Sequence, residues 1–242
     1  MKVRRGLVIC LLIGVLLTLF VKCYRYVPGG ERLVHRIRGR TTSEDRLQEY
    51  GASVRERLAP SFARAGVNYP PAKVVLVGLK EERQLELYAA NVSGELKFIR
   101  AYPILGASGT LGPKLREGDL QVPEGVYQIE SLNPNSAFHL SLRVNYPNDY
   151  DHAQAAREGR DNLGGDIMIH GGSGSVGCLA MGDDVAEELF CLAAEKWPQK
   201  IKVLLCPRDL REKPAPVIDS PIWTKDIYRS LKTELKKLPS HN

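Results

Sequence analysis

Residues 167–181 read Ile167-Met168-Ile169-His170-Gly171-Gly172-Ser173-Gly174-Ser175-Val176-Gly177-Cys178-Leu179-Ala180-Met181. The apolar run from Asp166 to His170 predicts a strand, and the glycines that follow predict a loop. Cys178 lies eight positions after His170 at the strand end. A glycine-rich return of that length can fold a thiol back beside an imidazole. A thiol attacks well only as thiolate, and an imidazole within reach can take its proton. Cys178 is therefore a candidate nucleophile and His170 a candidate general base and acid. Glycines also let backbone N–H groups converge, which an oxyanion needs. The amides of Gly177 and Cys178 are the candidates for that role. Ser175 fits a loop-orienting group and fits a plain turn serine equally well. The whole stretch also fits a small cysteine buried in a tight turn.

Three other chemistries fit less well. Gly172 to Gly177 matches G-x-G-x-x-G, but a dinucleotide fingerprint needs a helix opening at the loop within repeated βαβ units. No Gly-Lys-Ser/Thr follows, so there is no phosphate-binding loop of the Walker kind. A zinc site needs three or four ligands, and His170 and Cys178 supply two. No metal and no cofactor are expected.

Outward from this loop, Asp184 and Glu187 stand at capping-box spacing before a helix with Val185, Leu189, Leu192 and Ala193 on its apolar face. A strand is expected over Lys202–Leu205, then a Pro-rich stretch and a basic amphipathic helix, Trp223 to Leu238. Upstream, Val74–Val77, Gln84–Tyr88, Leu96–Ile99, Val126–Ile129 and Phe138–Leu142 predict strands, with Tyr102–Leu105 a further short apolar run. Asn91 to Gly94 is a turn signal, and 106–124 a long connection of the functional kind. A short helical patch is expected near Ala153–Arg157. Thr42 to Ala65 predicts a helix capped by Ser43, with Leu47, Tyr50, Val54, Leu58 and Phe62 at helical spacing; Pro60 is expected to end or kink it. The fold class is mainly β with peripheral helices (α+β).

The chain has 242 residues and a net charge of +6. Residues 1–40 hold nine Lys/Arg against Glu31, whereas residues 41–242 hold 25 against 27 Asp/Glu. The basicity belongs to the N-terminal end, and no basic stripe with interleaved aromatics follows the fold; nucleic acid is rejected as a partner. Lys2, Arg4 and Arg5 precede the chargeless run GLVICLLIGVLLTLFV, Gly6 to Val21. This predicts a secretory signal or short anchor, extended by Cys23 and Tyr24, with the N-terminus inside. Lys22 beside Cys23 argues against cleavage, so an uncleaved inner-membrane anchor over 6–24 is expected. The five cysteines are too few for a disulfide scaffold. Cys191 and Cys206 read as packing thiols whose pairing stays open.

At the loop the sequence resembles the L,D-transpeptidase catalytic domain family (YkuD fold). Ile167 to Gly171 matches its I-x-I-H-G strand end, Ser175 to Leu179 its S-x-G-C motif, and Pro123-Glu124-Gly125-Val126-Tyr127 an upstream P-x-G-x-Y/F element. Val176 replaces the usual His, and the spacing from base to nucleophile is short; both resemble the YafK-type branch. Gly112–Asp119, Leu132–Ser136, Asn145–Asn148 and the extension Arg57–Pro71 resemble that branch too. The resemblance implies an L,D-transpeptidase-like β-sandwich or barrel over 72–206, after an anchor (1–24) and a tether with a helical extension (25–71), and before a C-terminal part (207–242). It implies a thioester enzyme in which Cys178 attacks the carbonyl of meso-diaminopimelate in peptidoglycan stem peptides. The product would be hydrolytic release of wall-linked peptide or lipoprotein, on the periplasmic face of the envelope.

Lys114, Glu117 and Asp119 are candidates for reading the zwitterionic diaminopimelate centre, with His139 and Tyr146 as possible cleft residues; solvated loop charge and core packing are their bland readings. A transpeptidase that forms cross-links or attaches protein is the alternative, and a non-catalytic wall-binding module is the alternative of another class. An intact Cys178/His170 pair argues against the module.

Overall fold

A computed structural model describes residues 40–218 and 221–239. The expected anchor at 6–24 and most of the tether lie outside them. Among the described residues no helix is long and apolar enough to cross a membrane.

Helix α1 spans Ser43–Ala65 and buries Gly51, Val54, Leu58 and Phe62. It runs through Pro60 instead of ending there. Pro60 and Glu56, whose carbonyl cannot receive the usual bond, both face solvent, where that loss costs least, while the apolar stripe holds both halves on the core.

Eight strands form one mixed sheet in the order β3-β2-β1-β8-β4-β5-β6-β7, curved as a half-barrel. Strand β1 is Lys73–Leu79, β2 Gln84–Ala90, β3 Leu96–Pro103 and β4 Gly125–Ser136. Strand β5 is His139–Val144, β6 Met168–His170, β7 Leu179–Ala180 and β8 Lys202–Cys206. Tyr102 and Pro103 extend β3 and are not a separate strand. Strand β6 starts at Met168, two residues later than expected, because Asp166 takes a left-handed φ of 54° and leaves the extended region. Strands β1 and β8 pair parallel, as do β6 and β7.

The period-two geometry of β1 sorts a continuous apolar run into two cores. Val74 and Leu76 point into one, with α1 and with helix α3 (Asp183–Lys196). Val75, Val77 and Leu79 point into the other, with helix α4 (Thr224–Leu235). Strand β8 repeats the pattern: Val203 and Leu205 on the first side, Leu204 and Cys206 on the second. Cys191 belongs to the first core and Cys206 to the second, so both are free, buried thiols. Helix α2 (Asp149–Arg157) starts earlier than the expected patch, on a capping box between Asn148 and Asp151.

The expected capping box of α3 does not form. The N-cap is Gly182, with no side-chain cap bond. Asp183 Oδ1 accepts instead from the Gly172 amide at 2.9 Å, and Glu187 is taken by Arg57 and His139 at 2.9 Å each. The start of α3 is thus bound to the glycine loop and to α1.

Candidate active site

Strand pairing places the two candidate residues. Strand β6 lies between β5 and β7, with Ser141 opposite His170 and Ile169 opposite Leu179. Cys178 immediately precedes β7, so it falls opposite Met168. Residues opposite one another share a face, and so do residues two apart on one strand. Cys178 and His170 therefore stand diagonally on one face, while Ile169 and Leu179 fill the core behind them. The return is possible because Gly177 holds φ at 78°, where a side chain would be strained.

The thiol and imidazole each have defined partners. Cys178 Sγ accepts from the Met168 amide at 3.3 Å and donates to the Asp166 carbonyl at 3.4 Å. His170 Nδ1 lies 2.6 Å from the Gly171 carbonyl. A carbonyl only accepts, so Nδ1 carries the hydrogen and the lone pair of the neutral ring sits on Nε2. The Phe138 ring lies tilted over the imidazole, with centroids 4.7 Å apart. Burial lowers the pKa of His170, against the opposing bond to Gly171. Burial pushes the Cys178 thiol above its ordinary value; the Met168 amide pulls it back, the Asp166 charge raises it further and Lys114 lowers it. At neutral pH both groups are uncharged, a thiol and a neutral imidazole on one face and not an ion pair. The two do not hydrogen-bond one another in this state: the thiol is held by Met168 and Asp166.

Both candidate oxyanion amides are engaged. Gly177 N donates to Ser108 Oγ at 2.7 Å, and Cys178 N donates to Ser175 Oγ at 3.1 Å. Ser175 Oγ also donates to the Cys178 carbonyl at 2.6 Å, which pins the backbone of the candidate nucleophile. Ser108 Oγ donates onward to Leu120 O at 2.7 Å and so ties the long 106–124 connection to the loop. An oxyanion at Gly177 must displace the Ser108 hydroxyl. An open groove of about 540 Å³ runs beside the loop, lined by Leu105, Ser173, Met181 and Asp183 among others.

Of the other expected site residues, Lys114, Asp119, Tyr146 and His139 bond within the fold, while the Glu117 side chain faces solvent. Lys114 is buried and gives Nζ to Asp119 Oδ1 at 2.7 Å and to Arg116 O at 2.8 Å. Asp119 also accepts from the amides of Leu115, Arg116 and Gln121. Burial opposes ionisation, yet these bonds hold its carboxyl below the usual range. The polar atoms of this pair are spent on their own loop. Glu117 is exposed, with its amide bonded to Asn162 O at 3.0 Å. Tyr146 is buried, its hydroxyl placed on the carbonyls of Lys114 (3.2 Å) and Leu163 (3.3 Å), so it bridges two loops. His139 is turned towards the helices: its Nε2 lies 2.9 Å from Glu187 Oε1 and its ring packs edge-on against Tyr50 at 5.4 Å.

Sequence reasoning missed Ser108, Phe138 and the backbone groups of Asp166 and Met168. No motif marks them, since each reaches the site only through loop and strand packing. Among the described residues no group of three His, Cys, Asp or Glu side chains is placed to hold a metal ion.

The L,D-transpeptidase catalytic domain (YkuD) profile matches residues 72–201. The chain belongs to the L,D-transpeptidase catalytic domain family. Proteins of Escherichia coli strains K12 and O157:H7 that bear the L,D-transpeptidase designation YafK are each 38% identical over 113 residues, which is 46% of this chain and 43% of theirs. The match thus spans under half the length of these L,D-transpeptidase relatives. Among solved structures, the helical cell shape determining protein Pgp2 of Campylobacter jejuni is 22% identical, covering 62% of this chain and 55% of that one, with a TM-score of 0.44. L,D-transpeptidase 1 of Mycobacterium tuberculosis is 16% identical over 55% of this chain and 61% of its own, with a TM-score of 0.32.

Proposed function

We propose that this chain is a cysteine-dependent enzyme of the cell envelope that hydrolyses peptidoglycan-linked amides at meso-diaminopimelate. The observation that carries the reading is the pairing of β6 with β7, which sets an uncharged Cys178 thiol and a His170 ring with Nε2 unprotonated on one face. In the proposed cycle Nε2 takes the Sγ proton and Sγ attacks the stem-peptide carbonyl. The tetrahedral oxyanion displaces the Ser108 hydroxyl from the Gly177 amide. Imidazolium then protonates the leaving amine, the C–N bond breaks and a thioester remains. Water, deprotonated by His170, resolves it to a free carboxylate and restores the thiol.

Two features favour water over an amine as the second nucleophile. The loop between base and nucleophile is short, and Gly172, Ser173, Gly174 and Val176 in it are exposed, leaving the thioester open to solvent. Lipoprotein or peptide joined to diaminopimelate is the proposed leaving group, and residues 6–24 the proposed inner-membrane anchor that keeps residues 72–206 on the periplasmic side. Transpeptidation is the same chemistry with an amine in place of water.

The test is incubation of the chain and its Cys178→Ala variant with sacculi carrying bound lipoprotein, with products read by mass spectrometry. Released lipoprotein or stem-peptide fragments from the wild type alone support hydrolysis. New cross-links or amine exchange replace it with transpeptidation. Identical products from both proteins sink the catalytic reading of Cys178.

A further inference from the structure

We propose that the outer flank of α4 is a docking surface for an anionic lipid bilayer. Lys225, Arg229, Lys232 and Lys236 follow one another at spacings of four, three and four, which puts them in one stripe along the helix. All four are exposed, while Ile227, Tyr228, Leu231 and Leu235 bury the side that meets the sheet. Lys225, Arg229 and Lys232 form one wall of an open groove of about 520 Å³, and Pro216, Val217 and Ile218 form another. Val217 is 91% exposed, and Ile222, one turn before Lys225, is 80% exposed.

The charge is local. Residues 41–242 carry more acids than bases, so a stripe of four cations is not a sample of a generally basic surface. Arg229 has an ion-pair partner, Asp226 at 2.9 Å, with both side chains mostly in solvent; such a pair is weak and opens at little cost. The bare aliphatics select the occupant. A soluble polyanion would meet the cations but leave Val217 and Ile222 in water. A bilayer surface takes both, with aliphatic side chains at the acyl boundary and ammonium and guanidinium groups at lipid phosphates.

The experiment uses the full chain and reads the surface itself, because the N-terminal apolar segment is expected to associate with any vesicle. Hydrogen exchange by mass spectrometry is followed with vesicles of phosphatidylcholine alone and with vesicles half phosphatidylglycerol. The expected result is slowed exchange at 215–218 and in the first turn of α4 with the anionic vesicles alone, reversed by high salt. The Lys225→Gln/Lys232→Gln/Lys236→Gln variant should need roughly a hundredfold more anionic lipid for half protection, at about fivefold per cation. Val217→Ser with Ile222→Ser should weaken protection while leaving all the charge in place. Equal exchange with both vesicles, or protection that survives the triple variant, overturns the proposal. So does equal protection by soluble polyphosphate, which would make the stripe a general polyanion surface.

Discussion

The two ends of the sheet obey different rules. Strands β1 and β2 pair without a break from Lys73 opposite Ala90 to Leu79 opposite Gln84, and nearly every residue of both is buried. At the other end β6 has three residues and β7 two, the β4–β5 register shifts twice, and His139 and Asp166 hold positive φ. The regular end is fixed by apolar burial on both faces. The irregular end is fixed by hydrogen bonds from loops: Ser108 to Gly177, Ser175 to Cys178, Asp183 to Gly172. The difference teaches that one sheet combines a regular end with a loop-tied end around the candidate site, and whether the loop bonds also carry stability is open to direct test.

The sharpest test is Cys178→Ala. It should lower activity at least ~10³-fold and abolish alkylation of the reactive thiol, with a melting temperature close to wild type. Unfolding of the variant would tie the reactive end to global stability. Leu87→Ala, fully buried at the regular end, should do the converse and cost about 2–5 kcal/mol in urea unfolding. Its folded fraction should alkylate Cys178 at the wild-type rate.

Gly106→Ala probes the border between the regions. Gly106 pairs with Ala180, and a Cβ there would lie 2.1 Å from the Ser173 carbonyl. Since backbone cannot yield as a side-chain end can, the nucleophile loop must move. We expect kcat/KM to fall about 10²-fold with a smaller loss of stability than Leu87→Ala; unchanged kinetics would show that the loop position is not critical.

The smallest effect is in pH. Protonated His170 cannot accept the thiol proton, and its pKa is held below 6.5 by burial, so kcat/KM should rise with pH through a value under 6.5. It should fall again only above 9, where Cys178 ionises and the proton needed by the leaving amine is lost. Phe138→Ala uncovers the imidazole and should move the acid limb to higher pH, since less burial opposes its charge. An unmoved limb would show that the Phe138 ring does not shield the base.

Local pattern carried the strands, helix α1 and the Cys178/His170 loop, because glycine spacing, period-two alternation and helical periodicity are each written within a few residues. It failed at the cap of α3: the helix starts at Asp183 on Gly182, which leaves the expected cap residue Asp184 inside the helix, and Glu187 turns to Arg57 and His139. It could not say which partners Lys114, Asp119 and Tyr146 would take. A charged or phenolic residue on a long loop reads alike whether it faces ligand or its own backbone, and here the buried loop needed its amides and carbonyls satisfied.

By itself the sequence determined the family, through residues spaced within one loop, and the amphipathic faces that had to be buried. Tertiary structure alone decided which face each residue of the apolar run in β1 would serve, since that depends on what packs above and below the sheet. It decided the His170 tautomer, through one carbonyl, and the protonation of Cys178, through burial that no local window records. It also brought Ser108 and Phe138, 70 and 40 positions from Cys178 in the chain, to the site: hydrogen bonds and ring contacts are short-ranged in space and indifferent to distance along the sequence.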